Sequence, residues 1–176
     1  MIVKQSESNY VVAPEGSYSA VCVDVVDLGI VKTTWNNEEK ESHKCRIIWQ
    51  IDEDHPSGGR FTVRQDYTAS LGEKANLRKM LESWRGRAFT DAELMGFDLE
   101  QLVGIPCMIN IVHRTGSKGG TFANVAAAMR LPKGMTQLQA EKYTRVKDRE
   151  PQSQPVPPSR PDDHRPEEIT DDDVPF

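Results

Sequence analysis

The sequence predicts a mainly β domain with five strands and a helical insert between strands 3 and 4, followed by a disordered C-terminal tail. Three observations lead to this prediction. Five stretches between residues 16 and 131 alternate apolar and polar side chains, which is typical of strands that bury one face. Over residues 70–86 the apolar period becomes helical. Beyond residue 150, prolines and acidic residues replace apolar ones.

The first strand is predicted over residues 18–26, after a polar N-terminal arm at residues 1–15. Its alternation places one set of side chains on one face, Val21, Val23 and Val25, and a second set on the other, Tyr18, Cys22 and Asp24. A bend at Gly29 would let the strand continue to Val31. Residues 32–42 are polar except for Trp35 and predict a hairpin loop.

The second and third strands are predicted over residues 43–51 and 60–68, joined by a turn at residues 52–59. Their apolar faces hold Cys45, Ile47, Trp49 and Ile51 on the second strand, and Phe61, Val63 and Tyr67 on the third. The opposite faces hold Lys44, Arg46, Ile48 and Gln50, then Arg60, Thr62 and Arg64. The outward surface of this hairpin is therefore predicted to be basic.

A helix is predicted next, with Ser70 and Glu73 as a capping box and Gly86 as its end. Its apolar face is formed by Ala75, Leu77, Met80, Leu81 and Trp84, so we assign both Trp84 and Trp49 to the core. Thr90 and Glu93 repeat the capping pattern before a short helical stretch that ends at Gly104. The last two strands are predicted over residues 106–113 and 121–131, around a glycine-rich turn.

Three strands joined by hairpins, a helix and two more strands form the element order of an OB-fold, a five-stranded barrel. We assign this domain to residues 16–134. Residues 135–170 are charged and rich in proline, which predicts a flexible linker. In OB-folds, the loops that join strands 1 to 2 and 4 to 5 flank the face that binds oligonucleotides.

Charge is divided unequally along the chain. Seven of the 27 acidic and two of the 22 basic residues lie in residues 151–176, which leaves 20 of each for residues 1–150. A neutral body does not exclude a polyanionic ligand, because local basic patches decide its binding. The three cysteines are widely spaced and the sequence shows no leader, which predicts a protein of a reducing cytoplasm. No apolar run is long enough to span a bilayer, which predicts that the protein has no membrane partner.

The chain ends in an acidic tip, residues 171–176, made of Asp171, Asp172, Asp173, Val174, Pro175 and Phe176. This end has no means of folding on itself, whereas a basic-rimmed pocket of another protein would fit its ring and carboxylates. The tip closely resembles that of bacterial and phage single-stranded DNA-binding proteins. The resemblance implies that an OB-fold holds the strand while the tip recruits replication and repair proteins, namely a polymerase, helicase, primase or nuclease.

A second resemblance covers roughly residues 16–134. Residues 67–71, the helix at residues 74–87 and residues 104–107 resemble a family of small phage proteins found among replication genes. It implies a phage-encoded protein that acts in the host cytoplasm. OB-folds of this kind occur as monomers, dimers and tetramers, so the sequence leaves a homo-oligomer open.

Binding of single-stranded nucleic acid requires cations that follow the phosphates and aromatic faces on which bases stack. The residues predicted to do so are Lys32, Trp35, Lys44, Arg46, Arg64, Tyr67, Arg114, Lys118 and Phe122. Three alternatives stay open: Trp35 could pack at the barrel mouth, Tyr67 and Phe122 could belong to the core, and the cations could form a solvated face, since Glu38, Glu39 and Glu41 lie near them.

Catalytic and metal sites are weaker interpretations. A zinc site could form if neighbouring strands brought together His43, Cys45, Cys107 and His113, but these residues lack the sequence spacing of zinc ligands. The carboxylates of residues 52–55 all lie in one turn, whereas a two-metal site takes its ligands from separate elements. No phosphate-binding loop, dinucleotide fingerprint or activated nucleophile is present. We therefore predict no enzyme, metal or cofactor, but a protein of phage DNA replication or recombination that coats single-stranded DNA non-specifically. The alternative is an OB-like protein-interaction adaptor whose acidic tail mimics DNA.

Overall fold

The computed structural model describes residues 11–149, with five strands and a few short helices. The strands are β1 (Gly16–Trp35), β2 (Glu38–Asp54), β3 (Arg60–Thr68), β4 (Pro106–Thr115) and β5 (Thr121–Met129). Between β3 and β4 lie α1 (Asn76–Arg85), α2 (Asp91–Leu94) and a 3₁₀ helix (Leu99–Leu102); a second 3₁₀ helix (Val146–Asp148) follows β5. The mainly β class and the position of the helical insert are confirmed. The predicted tail beyond residue 149, with its acidic tip, lies outside the described residues, as do residues 1–10 of the arm.

All five strands form one antiparallel sheet in the order β3-β2-β1-β4-β5. Central β1 pairs with β2 from Ala20 to Trp35 and with β4 from Gly16 to Val21. The edge strands β3 and β5 approach each other, with Cα atoms within 8 Å, and α1 contacts both. None of the helices in the described part of the chain is long and apolar enough to cross a membrane.

The prediction of a loop at residues 32–42 is wrong, because β1 and β2 continue through this segment as a two-stranded ribbon. The last pair is Trp35 with Glu38, and Asn36 and Asn37 form the two-residue turn with φ of 51° and 62°. Positive φ at both positions is the hairpin geometry that asparagine tolerates better than most residues. The ribbon was not predicted because both of its faces are polar, so its sequence shows no alternation of apolar and polar residues.

The core confirms the predicted apolar faces of β2, β3 and α1. Trp49 and Trp84 are 0% and 3% exposed, with ring centroids 6.0 Å apart. Around them pack residues from the sheet and the helix: Cys45, Ile47, Ile51, Phe61, Val63, Leu77, Met80, Leu81, Cys107, Ile109 and Ile111. All three cysteines are free and buried, and burial raises the pKa of the Cys22 thiol to about 12 and that of Cys45 to about 11.

The predicted faces of β1 need a correction at Val25. A register shift between Cys22 and Asp24 places Val25 against the main core with Cys22, while Val21 and Val23 lie in a second apolar cluster with Ile48. A bulge adds one residue to the strand and so changes which side the following side chains face. The same shift lets the buried carboxylate of Asp24 meet residues far along the chain.

The second cluster is covered by residues 132–149, here called the strap. Leu138 of the strap is 8% exposed, and the amide side chain of Gln50 exchanges hydrogen bonds of 2.6 and 2.8 Å with the backbone of Glu141. Residues 135–149 were assigned to the linker by sequence, yet here they pack on β1 and β2. Their anchors are mostly bonds between side chains and distant backbone groups, which leave no periodic pattern.

Helix α1 begins later than the capping pattern predicts. Its N-cap is Ala75, with no side-chain bond, whereas the hydroxyl of Ser70 accepts from the backbone N–H of Gly72 in a preceding turn. The predicted end at Gly86 is confirmed, with φ of 69°. The second capping box is also confirmed, because Thr90 and Glu93 each accept from the other's backbone N–H.

Glu93 gathers several donors at the end of α1. It accepts from Arg87 at 2.8 and 3.0 Å, from the Thr90 N–H at 3.0 Å, and also from Arg85, which lies 4.5 Å from the Phe89 ring centroid. Hydrogen bonds from Arg87, Thr90 and Arg85 hold the pKa of Glu93 well below its usual range.

Glu93→Gln should lower stability at pH 7, and the difference from wild type should shrink as the pH falls. A carboxylate with a lowered pKa in the folded state stabilises fully above its unfolded pKa, near 4.5, and loses this contribution as the pH drops towards the folded value. Urea unfolding at pH 7, 5 and 3 measures the trend. Glu73→Gln, which removes a carboxylate without an ion pair in the described region, is the control. A constant difference down to pH 3 would contradict the charge-based explanation.

Candidate nucleic-acid interface

A groove of about 1090 Å³ opens where β2, β3, the start of β5 and the strap meet. Its lining contains five cationic side chains and one carboxylate, that of Asp66; the cations are Arg46, Arg60, Arg64, Lys142 and Arg149. Apolar side chains lie among them, including Val26, Leu28, Ile48 and Phe122. The groove thus combines net positive charge with apolar surface.

The antiparallel pairing of β2 with β3 positions two of these cations. Arg46 lies opposite Asp66, and Ile48 lies opposite Arg64. Arg46 forms a two-pronged pair with Asp66, Nε to Oδ1 at 2.6 Å and Nη2 to Oδ2 at 2.9 Å, which raises the pKa of Arg46 and lowers that of Asp66. Arg64 is exposed and forms no ion pair with another described residue, so it is the strand cation most available to a phosphate.

Three groove cations were not predicted. Arg60 donates to the Gln139 carbonyl at 2.9 Å and lies 3.7 Å from the Glu141 carboxylate, while Lys142 and Arg149 belong to the strap. Sequence reasoning missed the strap residues because it placed them in a flexible linker. The available signal was an aromatic residue, Tyr143, among closely spaced cations in a stretch with little other apolar content.

Phe122 lies on the surface rather than in the core. Its side chain is 55% exposed, and it lines the groove. The ring rests on the glycine-rich turn: a Cβ atom at Gly116 would lie 2.6 Å from Phe122 Cε2, and one at Gly120 would lie 3.3 Å from Cζ. The two glycines therefore allow a close approach that a larger residue at position 116 would prevent, which leaves an aromatic surface facing the groove.

Lys44 and Tyr67 line a second, smaller groove of about 800 Å³, which shares Gln65 and Asp66 with the first. Tyr67 is half-buried and packs against the main core, and this burial raises the pKa of its phenol. The interpretation of Tyr67 as a core residue therefore holds in part, and the rest of its side chain lines the second groove.

The remaining predicted residues lie on two hairpins, and three of them, Lys32, Arg114 and Lys118, line neither groove. Lys32 is on the β1–β2 ribbon, where it pairs with the directly opposed Glu41 at 3.1 Å, and Trp35 ends β1. Arg114 lies opposite Phe122 at the end of β4, and Lys118 follows in the turn. The structure thus brings Arg46, Arg64 and Phe122 together in the larger groove. A role of the hairpin residues in binding nucleic acid stays a prediction from the sequence.

The residues considered for zinc lie in different surroundings. Cys45 and Cys107 are in the core, the His43 ring contacts Asp27 at 2.6 Å, and the His113 ring contacts the Ala13 carbonyl at 2.8 Å. Within residues 11–149, no group of three or more histidine, cysteine, aspartate or glutamate side chains could hold a metal ion.

No protein-family model matches the chain, and no curated protein matches it. What the larger groove can bind follows from the chemistry of its lining. Clustered cations with little opposing charge attract a polyanion. An exposed aromatic ring beside them offers a stacking surface for a planar group. Together these are the two requirements for binding an unpaired nucleic-acid strand.

Proposed function

We propose that this protein binds single-stranded DNA without sequence preference and coats it during phage DNA replication or recombination. The observation that carries the proposal is the larger groove, whose lining combines five cations and one carboxylate with an exposed Phe122. Cations neutralise phosphates and release counterions, and aromatic rings stack on any base. Neither contact depends on base identity, and the stacking contact requires a base that is not paired within a duplex.

The strand arrangement supports an OB-fold barrel as the scaffold. In an OB-fold, strand 1 pairs with strands 2 and 4, a helix stands between strands 3 and 4, and closure brings strands 3 and 5 together. Here β1 pairs with β2 and β4, α1 lies in the insert, and the edge strands β3 and β5 contact each other. The larger groove follows β2 and β3, part of the face on which OB-folds bind oligonucleotides.

The acidic tip is proposed to recruit a polymerase, helicase, primase or nuclease, and to compete with DNA for the groove. Residues 151–176 carry seven acidic and two basic side chains, opposite in sign to the groove lining. A segment joined covalently to the domain reaches an effective concentration in the millimolar range, enough to occupy a cationic groove until DNA displaces it.

Truncation of the tail tests two statements, that the protein binds single-stranded DNA and that the tail competes with this DNA. The assay is fluorescence anisotropy of a labelled oligothymidine, titrated with the full-length protein and with a variant ending at Glu150 at two salt concentrations. We expect sub-micromolar binding that weakens with salt, by about 0.7 in log K per unit of log salt for each phosphate contact, and that tightens on truncation. Equal affinities would remove the competition by the tail, and no binding by either protein would overturn the proposal.

The adaptor alternative is favoured by one feature of the β1–β2 ribbon. Lys32 is paired with Glu41, and Glu38 and Glu39 are exposed beside them, so this ribbon is less suited to DNA than its cations suggest. Tryptophan fluorescence discriminates between the two functions, because Trp49 and Trp84 are buried and contribute a constant background. If the tryptophan fluorescence does not change when oligonucleotide is added, and anisotropy shows no binding, the adaptor function is favoured.

A further inference from the structure

The strap is held at fixed points on the outer surface of the sheet. The Gln50 side chain, 4% exposed, bonds both the N–H and the carbonyl of Glu141. Asp24, 1% exposed, accepts from Arg145 Nε at 2.9 Å, from the Val146 N–H at 2.7 Å and from the Tyr143 hydroxyl at 3.3 Å. Because both anchoring side chains are buried, the strap residues between them have a defined position beside the groove.

Lys142 lies between these anchors in a backbone conformation that lysine rarely adopts. Its φ is 48°, in the left-handed region that glycine and asparagine occupy more readily. The neighbours on either side, Glu141 and Tyr143, are both bonded to the sheet, so the conformation is imposed by the anchors. Backbone geometry therefore does not explain a lysine here, whereas the charge that it adds to the groove lining does.

Lys142 is also free of carboxylate partners within the described residues, where the strap cations that form ion pairs are Arg145 and Lys147. At the far end of the strap, the Arg149 guanidinium lies 5.4 Å from the Tyr143 ring centroid and its Nε donates to the Thr144 carbonyl at 3.1 Å. These contacts orient Arg149, and its terminal nitrogens have no hydrogen-bond acceptor among residues 11–149.

We propose that the strap is part of the nucleic-acid site, with Lys142 and Arg149 as phosphate contacts and with Asp24 and Gln50 as positioning residues that hold them. The proposal rests on the proposed single-strand binding and deepens it. The strand would lie between cations of the sheet, chiefly Arg64, and cations of a segment outside the five strands. Binding would then depend on residues that follow the last strand of the domain.

Lys142→Asn is the decisive variant, because asparagine tolerates the positive φ and lacks the charged ammonium group. Lys133→Asn is the matched control, an exposed lysine of the same strap that does not line the groove. Both full-length variants are titrated against labelled oligothymidine over a range of salt concentrations, and their thermal unfolding is recorded. We expect Lys142→Asn to bind several-fold more weakly, to reduce the salt slope by about 0.7, and to unfold no earlier than wild type. Lys133→Asn should match wild type in both assays.

The possible failures are distinguishable. If wild-type protein binds with a salt-dependent affinity and Lys142→Asn has the same affinity and slope, the role of the strap is overturned while the proposed function stands. If wild-type protein shows no binding, the proposed function fails and the strap proposal fails with it. An equal loss of affinity in Lys133→Asn would also overturn the proposal, because it would indicate a general effect of charge rather than a contact.

Discussion

Phe122→Ala is expected to weaken the binding of oligothymidine by roughly 5- to 150-fold. Base stacking on an aromatic side chain contributes about 1–3 kcal/mol, and each 1.4 kcal/mol corresponds to a factor of ten. The ring is more than half exposed and rests on the glycine-rich turn at the groove, so its removal takes away a stacking surface and leaves the core intact. Anisotropy titration measures the affinity, and thermal unfolding verifies that the fold is retained.

Two further variants make this prediction specific. Met129→Ala truncates another exposed apolar side chain of β5 that does not line the groove, and it should bind as wild type does. Phe122→Tyr keeps an aromatic ring and should retain most of the affinity. If Phe122→Ala bound oligothymidine as tightly as wild type, stacking at this position would be excluded and the groove would act through its cations alone.

Asp24→Ala is expected to lower the free energy of unfolding by about 3 kcal/mol. Removing one partner of a buried ion pair typically costs about 3–5 kcal/mol, because the other charge is left without its partner. The lower value applies because Arg145 keeps its two bonds to Glu100, both 2.8 Å long. Asp24 also accepts from the Val146 N–H and the Tyr143 hydroxyl, so the strap loses its central anchor. Urea unfolding measures the change.

Glu100→Gln is the matched control on the exposed side of the same network. Glu100 is about half exposed, and exposed ion pairs contribute about 0–1 kcal/mol, so this variant should be nearly as stable as wild type. Limited trypsin digestion adds a local readout, since release of the strap in Asp24→Ala should speed cleavage after Arg145 and Lys147. Equal stabilities of Asp24→Ala and Glu100→Gln would show that burial of Asp24 does not strengthen the pair.

The fold class could be predicted because strands that bury one face leave a direct record in the sequence. Alternation along β2 and β3 identified the core residues that the structure confirms, including Ile47, Trp49 and Val63. The helical period likewise located the buried face of α1. Each of these signals comes from neighbours within one element, so it survives without any knowledge of distant contacts.

Predictions failed where the structure depends on contacts that produce no periodic pattern of apolar residues in the sequence. The β1–β2 ribbon has polar side chains on both faces, so backbone pairing alone defines it. A single-residue bulge moved Val25 to the core face, which alternation has no means of detecting. The strap resembles a linker in composition, yet Arg145 bonds Asp24 across 121 positions of sequence.

By itself, the sequence determined the class of fold, the apolar faces of β2 and β3, the position of the helical insert and the separation of charge between body and tail. Only the tertiary structure decided which cations share a surface. Arg64, Phe122 and Lys142 meet at one groove although they belong to three separate parts of the chain. The physical reason is that periodic burial is encoded locally, whereas a binding surface depends on long-range pairing and on buried anchors such as Asp24 and Gln50.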